Sequence, residues 1–120
     1  MVHEMKLRNI PFEKIKTKEK TIELRLLDKK RSKIRIGDTI RFSLVENNNE
    51  SINTKVINLY FADSFPELFK EIPLNKCGIE NVEKQRNNPI NMREYYSQEE
   101  LLKYRVVGIE IELIYIRHRR

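Results

Sequence analysis

Apolar residues recur with a period of two over five stretches of the chain, and each stretch reads as a β-strand. In residues 3–8, Met5 and Leu7 alternate with Lys6 and Arg8. In residues 20–27, Ile22, Leu24 and Leu26 define one face, and Thr21, Glu23 and Arg25 define a charged face expected to meet water. Residues 39–45 place Ile40, Phe42 and Leu44 inward. Residues 52–61 change parity, from Ile52 and Val56 to Ile57, Leu59 and Phe61, which predicts a bulge near Val56. The last stretch, residues 107–115, alternates Val107, Ile109, Ile111, Leu113 and Tyr115 with Glu110 and Glu112, and Gly108 leaves room for close backbone approach.

Helical signals fall between these strands. Pro11 suits a first turn, and Phe12 and Ile15 share one side of residues 11–17. Ser64 with Glu67 forms a capping box ahead of Phe65, Leu68, Phe69 and Ile72, a helix that Pro73 should end. Ser97 with Glu100 forms a second box, opening a helix to about Tyr104, with Tyr96 and Leu101 placed as a hydrophobic staple. Gly37-Asp38 and the Asn-rich residues 47–51 read as turns, and residues 75–91 as a polar loop with one helical turn. Phe61, Phe65 and Phe69 fit core spacing better than a protein-docking patch. Strands at both ends with helices set among them predict an α+β fold whose sheet closes or nearly closes. One domain is expected over residues 1–116, followed by a disordered basic tail, residues 117–120.

Charge changes this picture by its placement. The net charge is +6, yet residues 14–35 alone carry ten Lys or Arg against three acids, a local net of +7. That is the footprint of a polyanion partner, with Lys29, Lys30, Arg31, Lys33 and Arg35 as candidate RNA-backbone contacts. The alternative is an ordinary solvated lysine-rich face.

Other chemistries are not indicated. With glycine only at 37, 78 and 108, neither a phosphate-cradling P-loop nor a dinucleotide fingerprint can be written, and no cofactor is expected. His3 and His118 lie at opposite ends and Cys77 is single, so no spacing suggests a metal site. His3, Glu4, Lys6 and Arg8 interrupt the first residues, and no apolar run suits a membrane span. A cytoplasmic location without membrane contact is expected.

The segment Ile15-Lys16-Thr17-Lys18-Glu19-Lys20-Thr21-Ile22-Glu23-Leu24-Arg25 resembles the signature of the ASCH family of the PUA-like superfamily, which runs Gly, any, Lys, any, any, Glu, any, Arg. Lys20, Glu23 and Arg25 match it, whereas Lys18 stands in place of the Gly. A positive φ there would cost about 1 kcal/mol or more. Residues 33–40 and 104–111 are similar to small family members as well. The resemblance implies a PUA-like mixed β-barrel of about five to six strands with flanking helices.

On an extended strand Glu23 and Arg25 lie about 6.5–7 Å apart on one face, while Lys20 joins them only if the strand begins irregularly. Arg25 suits a phosphate or a base edge, Lys20 supplies a point charge, and Glu23 accepts from an exocyclic amine. With Thr21 they form a candidate binding set for RNA or a modified nucleoside. A second function is open. Some ASCH relatives remove the acetyl group from acetylated cytidine and others cleave RNA, and Lys20 matches the Lys proposed as catalytic in the former, with Glu23 where they have Thr. In this metal-independent hydrolase reading Lys20 and Glu23 are the candidate catalytic residues, with a downstream acid among Glu94, Glu99 and Glu100. A third reading sees only a solvated strand face.

Overall fold

A computed structural model of the chain describes residues 1–47, 49–79 and 96–114. Five strands, β1 (Val2–Leu7), β2 (Ile22–Leu26), β3 (Thr39–Leu44), β4 (Ser51–Ala62) and β5 (Val106–Leu113), form one curled sheet in the order β1-β3-β4-β5-β2. β1 runs parallel to β3, with α1 (Asn9–Lys16) and β2 in the crossover, and the other pairings are antiparallel. Among the described residues, two short α-helices follow β4 and precede β5: α2 (Phe65–Leu68) and α3 (Gln98–Lys103). The mixed sheet with its helices is the α+β, PUA-like fold expected, with its five strands curled into a half-barrel rather than a closed barrel.

The alternation on β1 buries His3, Met5 and Leu7 and exposes Glu4 and Lys6. Register shifts in β4 between Val56 and Asn58, so Ile57 is the extra residue of the bulge. β4 serves two partners along its two edges. Residues 51–55 face β3 on one side, and residues 58–62 continue alone against β5.

Two cores result, one on each face of the curled sheet. Phe12, Ile15, Ile40, Phe42, Val107 and Ile109 belong to the concave core. Ile22, Leu26, Phe65, Leu68 and Ile72 belong to the outer one, under α2. Because β5 lies between them, Val106, Val107, Gly108 and Ile109 are all buried. Gly108 sits beneath α2, where a Cβ would meet Ile22, Ile72 and Leu68 at 3.4–3.6 Å.

Several expectations are corrected. α2 ends at Leu68 rather than reaching Ile72. Past Leu68, tight turns carry Ile72 into the outer core, because the residue before Pro73 disfavours helical backbone. The Ser64 hydroxyl accepts from the Glu67 amide at 3.4 Å, but the Glu67 carboxylate pairs with Lys70, so that box is half formed. The Ser97–Glu100 box is complete. Phe65 is buried, whereas Phe61, expected in the core, is 44% exposed beyond the reach of β3. Most of the polar loop, from residue 80, and the tail, residues 117–120, lie outside the described residues. Among the described residues no helix is long and apolar enough to cross a membrane, and no group of three or more His, Cys, Asp or Glu is arranged to hold a metal ion.

Candidate ligand site on the second strand

β2 does not present a wet face. Glu23 stands opposite Ile109 and Arg25 opposite Val107, and residues directly opposed across a ladder project to the same side of the sheet. Glu23 and Arg25 therefore point to the concave side, while Ile22 and Leu26 fill the outer core. The correction has a simple cause. Period two identified the two faces, but α2 covers one and the curl of the sheet encloses the other.

Lys20 precedes the regular strand. Its amide donates to Lys14 O at 3.0 Å, and the next amide, Thr21, donates to Lys76 O at 2.8 Å. This irregular entry follows Lys18, which takes the left-handed conformation at φ 67° where the family signature has Gly. It brings Lys20 Nζ to 3.1 Å from Glu23 Oε1, and Arg25 Nη2 lies 3.8 Å from Glu23 Oε2. The three signature side chains thus converge on one carboxylate. They are 11%, 5% and 20% exposed for Lys20, Glu23 and Arg25.

Burial pushes the Glu23 carboxyl upward, but the charges of Lys20 and Arg25 and the bonds from Lys20 and the Leu24 amide outweigh it and hold the carboxyl below its ordinary range. Glu23 is an anion between two cations. One oxygen is saturated, since Oε1 accepts from both Lys20 Nζ and the Leu24 amide at 3.1 Å. Glu23 Oε2, Thr21 Oγ1 and Arg25 Nε are buried without a hydrogen-bond partner among the described residues.

These groups stand where the half-barrel fails to close. The Thr21 carbonyl and the Leu27 amide bond to the β5 side, so the even-numbered residues of β2 face the open edge. There the Leu24 amide is met by Glu23, and the Leu26 amide by the Tyr96 hydroxyl. On β1 the Met1 and Leu7 carbonyls bond to the β3 side, leaving Lys6 O on the opposite edge. Arg25 Nη2 donates to Lys6 O at 3.3 Å and spans the gap. Side chains thus cover two sheet edges that otherwise expose backbone polar groups.

Beside Arg25 lies an open cleft of about 380 Å³, lined in part by Glu4, Lys6, Lys30 and Arg31. Of the five backbone-contact candidates, Lys30 and Arg31 reach this cleft. Lys29, Lys33 and Arg35 are exposed and do not line it. Among the candidate acids, Glu100 is committed to its capping box, Glu99 is exposed on α3, and Glu94 lies outside the described residues.

Three neighbours had no signal in the strand pattern. Gly78, left-handed at φ 75°, packs on Lys20 so closely that a Cβ would stand 3.0 Å from Lys20 Cδ. Cys77 feels the charges of Lys20 and Glu23, and burial pushes its thiol up to about 12, away from the thiolate that a nucleophile needs. Burial raises the Tyr96 hydroxyl too, against the opposing charges of Arg25 and Arg31. Loop residues such as these come to the site through tertiary packing alone.

A curled five-stranded mixed sheet, with a buried carboxylate between two cations at its open edge, places the chain among PUA-like domains. The ASCH domain model matches residues 5–115, and the chain belongs to that family. It is similar to the hypothetical protein PH0355, whose crystal structure superposes with a TM-score of 0.76 at 34% identity, covering 95% of this chain and 100% of that one. It is also similar to protein PF0455 from Pyrococcus furiosus, known from a solution NMR structure. There the TM-score is 0.66 at 33% identity, covering 95% of this chain and 98% of that one. No curated protein matches the sequence.

Proposed function

We propose that this ASCH domain binds RNA or a modified nucleoside through Lys20, Thr21, Glu23 and Arg25, with the basic segment after β2 attracting the phosphate backbone. The observation that carries this reading is that Glu23 Oε2, ion-paired to Arg25 Nη2 at 3.8 Å, and Arg25 Nε are both buried with no hydrogen-bond partner among the described residues. A buried charge-bearing oxygen without a donor is costly. A ligand with a donor beside an acceptor, such as the amide or amine edge of a nucleobase, would satisfy both atoms. Lys29, Lys30, Lys33 and Arg35 are exposed, which suits contacts to phosphates that carry no sequence information.

The hydrolase reading is weaker on the same geometry. Lys20 Nζ is already a donor to Glu23, the role of an ammonium rather than of a general base, and a carboxylate occupies the position of the relatives' Thr. Incubating the protein with acetylated cytidine and with RNA decides it, and turnover that Lys20→Ala abolishes would restore it.

The binding reading is tested by titrating a short labelled RNA at several salt concentrations. Affinity should fall steeply with salt, because each phosphate contact releases counterions. Lys20→Ala should weaken binding at every salt concentration. A salt-independent affinity, or no binding at low salt, refutes the proposal.

A further inference from the structure

We infer that the cleft between the two sheet edges is a phosphate subsite, so that the ligand held best is a single nucleotide bearing a terminal phosphate rather than a bare nucleoside. The inference rests on the nucleoside-binding reading above and adds a second anchoring point to it. The cleft is lined by Lys6, Arg25, Lys30 and Arg31 against a single acid, Glu4, with Ser43 as a hydroxyl donor. Its volume of about 380 Å³ is near the lower end of small-molecule sites, which suits one nucleotide unit.

The two arginines are already fixed. Arg25 is held by Nη2, which donates to Lys6 O at 3.3 Å and faces Glu23. Arg31 is held by Asp28, which accepts from its backbone amide and from Nη1, both at 2.9 Å. In both residues the Nε–H is buried and has no hydrogen-bond partner among the described residues. A guanidinium clamps phosphate through paired N–H groups, and one immobilised beforehand loses little entropy on doing so. Counting Glu23 and Asp28, which already engage Arg25 and Arg31, and Lys20 on Glu23, five cations (Lys6, Lys20, Arg25, Lys30, Arg31) stand against three carboxylates (Glu4, Glu23, Asp28), and the net of +2 matches a phosphomonoester dianion better than the single charge of an internal phosphodiester. Arg25 touches both regions. Its Nη2 lies 3.8 Å from Glu23 Oε2 and its side chain is among those lining the cleft, so base and phosphate would be read by one residue.

The test measures binding of the four ribonucleosides, their 5′- and 3′-monophosphates and inorganic phosphate by calorimetry, on wild type, Arg31→Gln and Arg31→Lys. Thermal melts confirm that each variant is folded. A monophosphate should bind about tenfold or more tightly than its nucleoside, the difference expected of a charge-assisted pair of bonds. Arg31→Gln should erase that advantage and leave nucleoside affinity unchanged, and Arg31→Lys should restore only part of it. Equal affinity for nucleosides and monophosphates, or an advantage untouched by Arg31→Gln, overturns the subsite and leaves the nucleoside reading intact. Inorganic phosphate that binds wild type but not Arg31→Gln, with no nucleoside bound by either, supports the subsite and removes the nucleoside reading. No binding of either kind overturns both.

Discussion

Replacing Glu23 by Gln keeps the volume of the side chain and removes its charge, and the structure sets the size of the effect. Glu23 is buried, accepts two hydrogen bonds through Oε1 and separates two cations. The Gln carbonyl can keep the Leu24 amide, but Lys20 loses its counterion and faces Arg25 uncompensated. Removing one partner of a buried ion pair costs about 3–5 kcal/mol. Lys20 and Arg25 each retain some access to water, which lowers the expectation to about 2–4 kcal/mol at pH 7. For a domain of this size that is a fall in Tm of about 6–20 °C. The pH dependence carries a definite sign. The folded carboxyl lies below its ordinary value of 4.5, so the unfolded chain takes up the proton first as pH falls. The stability due to the charge is complete above about pH 4.5 and is lost as pH drops through the lower folded value. Thermal melts of wild type and Glu23→Gln from pH 7 to pH 3 should therefore show a gap that is constant at neutral pH and narrows below about pH 4.5. A gap under about 2 °C at pH 7, or one that stays constant on acidification, refutes the buried anion.

The left-handed backbone at Lys18 predicts that Lys18→Gly stabilises the fold by about 0.5–1 kcal/mol, the relief of strain less the entropy glycine loses on folding. Denaturant titration checks this, and a less stable Gly variant would show that the Lys18 side chain outweighs its backbone. Asp38 accepts from His3 Nε2 at 2.8 Å and from the Arg35 amide at 3.0 Å, and these bonds, that from His3 foremost, hold its carboxyl at about 2. Its contribution should be present above the ordinary value of 3.8 and vanish as pH falls through about 2. Asp38→Asn should thus be less stable than wild type at pH 7 and converge with it between pH 4 and pH 2 in denaturant melts. Parallel curves over that window would contradict the assignment.

Strand identity, the bulge at Ile57 and the complete capping box at Ser97 were legible along the chain because each depends on residues within a few positions of one another. Period two marks the two faces of a strand wherever they lie, and an extra residue reverses that parity whatever the partner strand. The signature positions Lys20, Glu23 and Arg25 could be read in the same way, as a spacing of residue types. Which face meets water could not. Glu23 and Arg25 alternate like a solvated strand face, yet the curl of the sheet and its pairing with β5 turn that face into the barrel. Phe61 alternates like a core residue, yet β4 outruns β3 and leaves it exposed. The length of α2 was misread because helical spacing persists to Ile72, while the restriction imposed by Pro73 acts on the backbone. The gap spanned by Arg25, the packing of Gly78 on Lys20 and the approach of Tyr96 to Leu26 join residues 19 to 70 positions apart. Local periodicity carries no information about such meetings, because the closure of the half-barrel, not the alternation within any one strand, determines them.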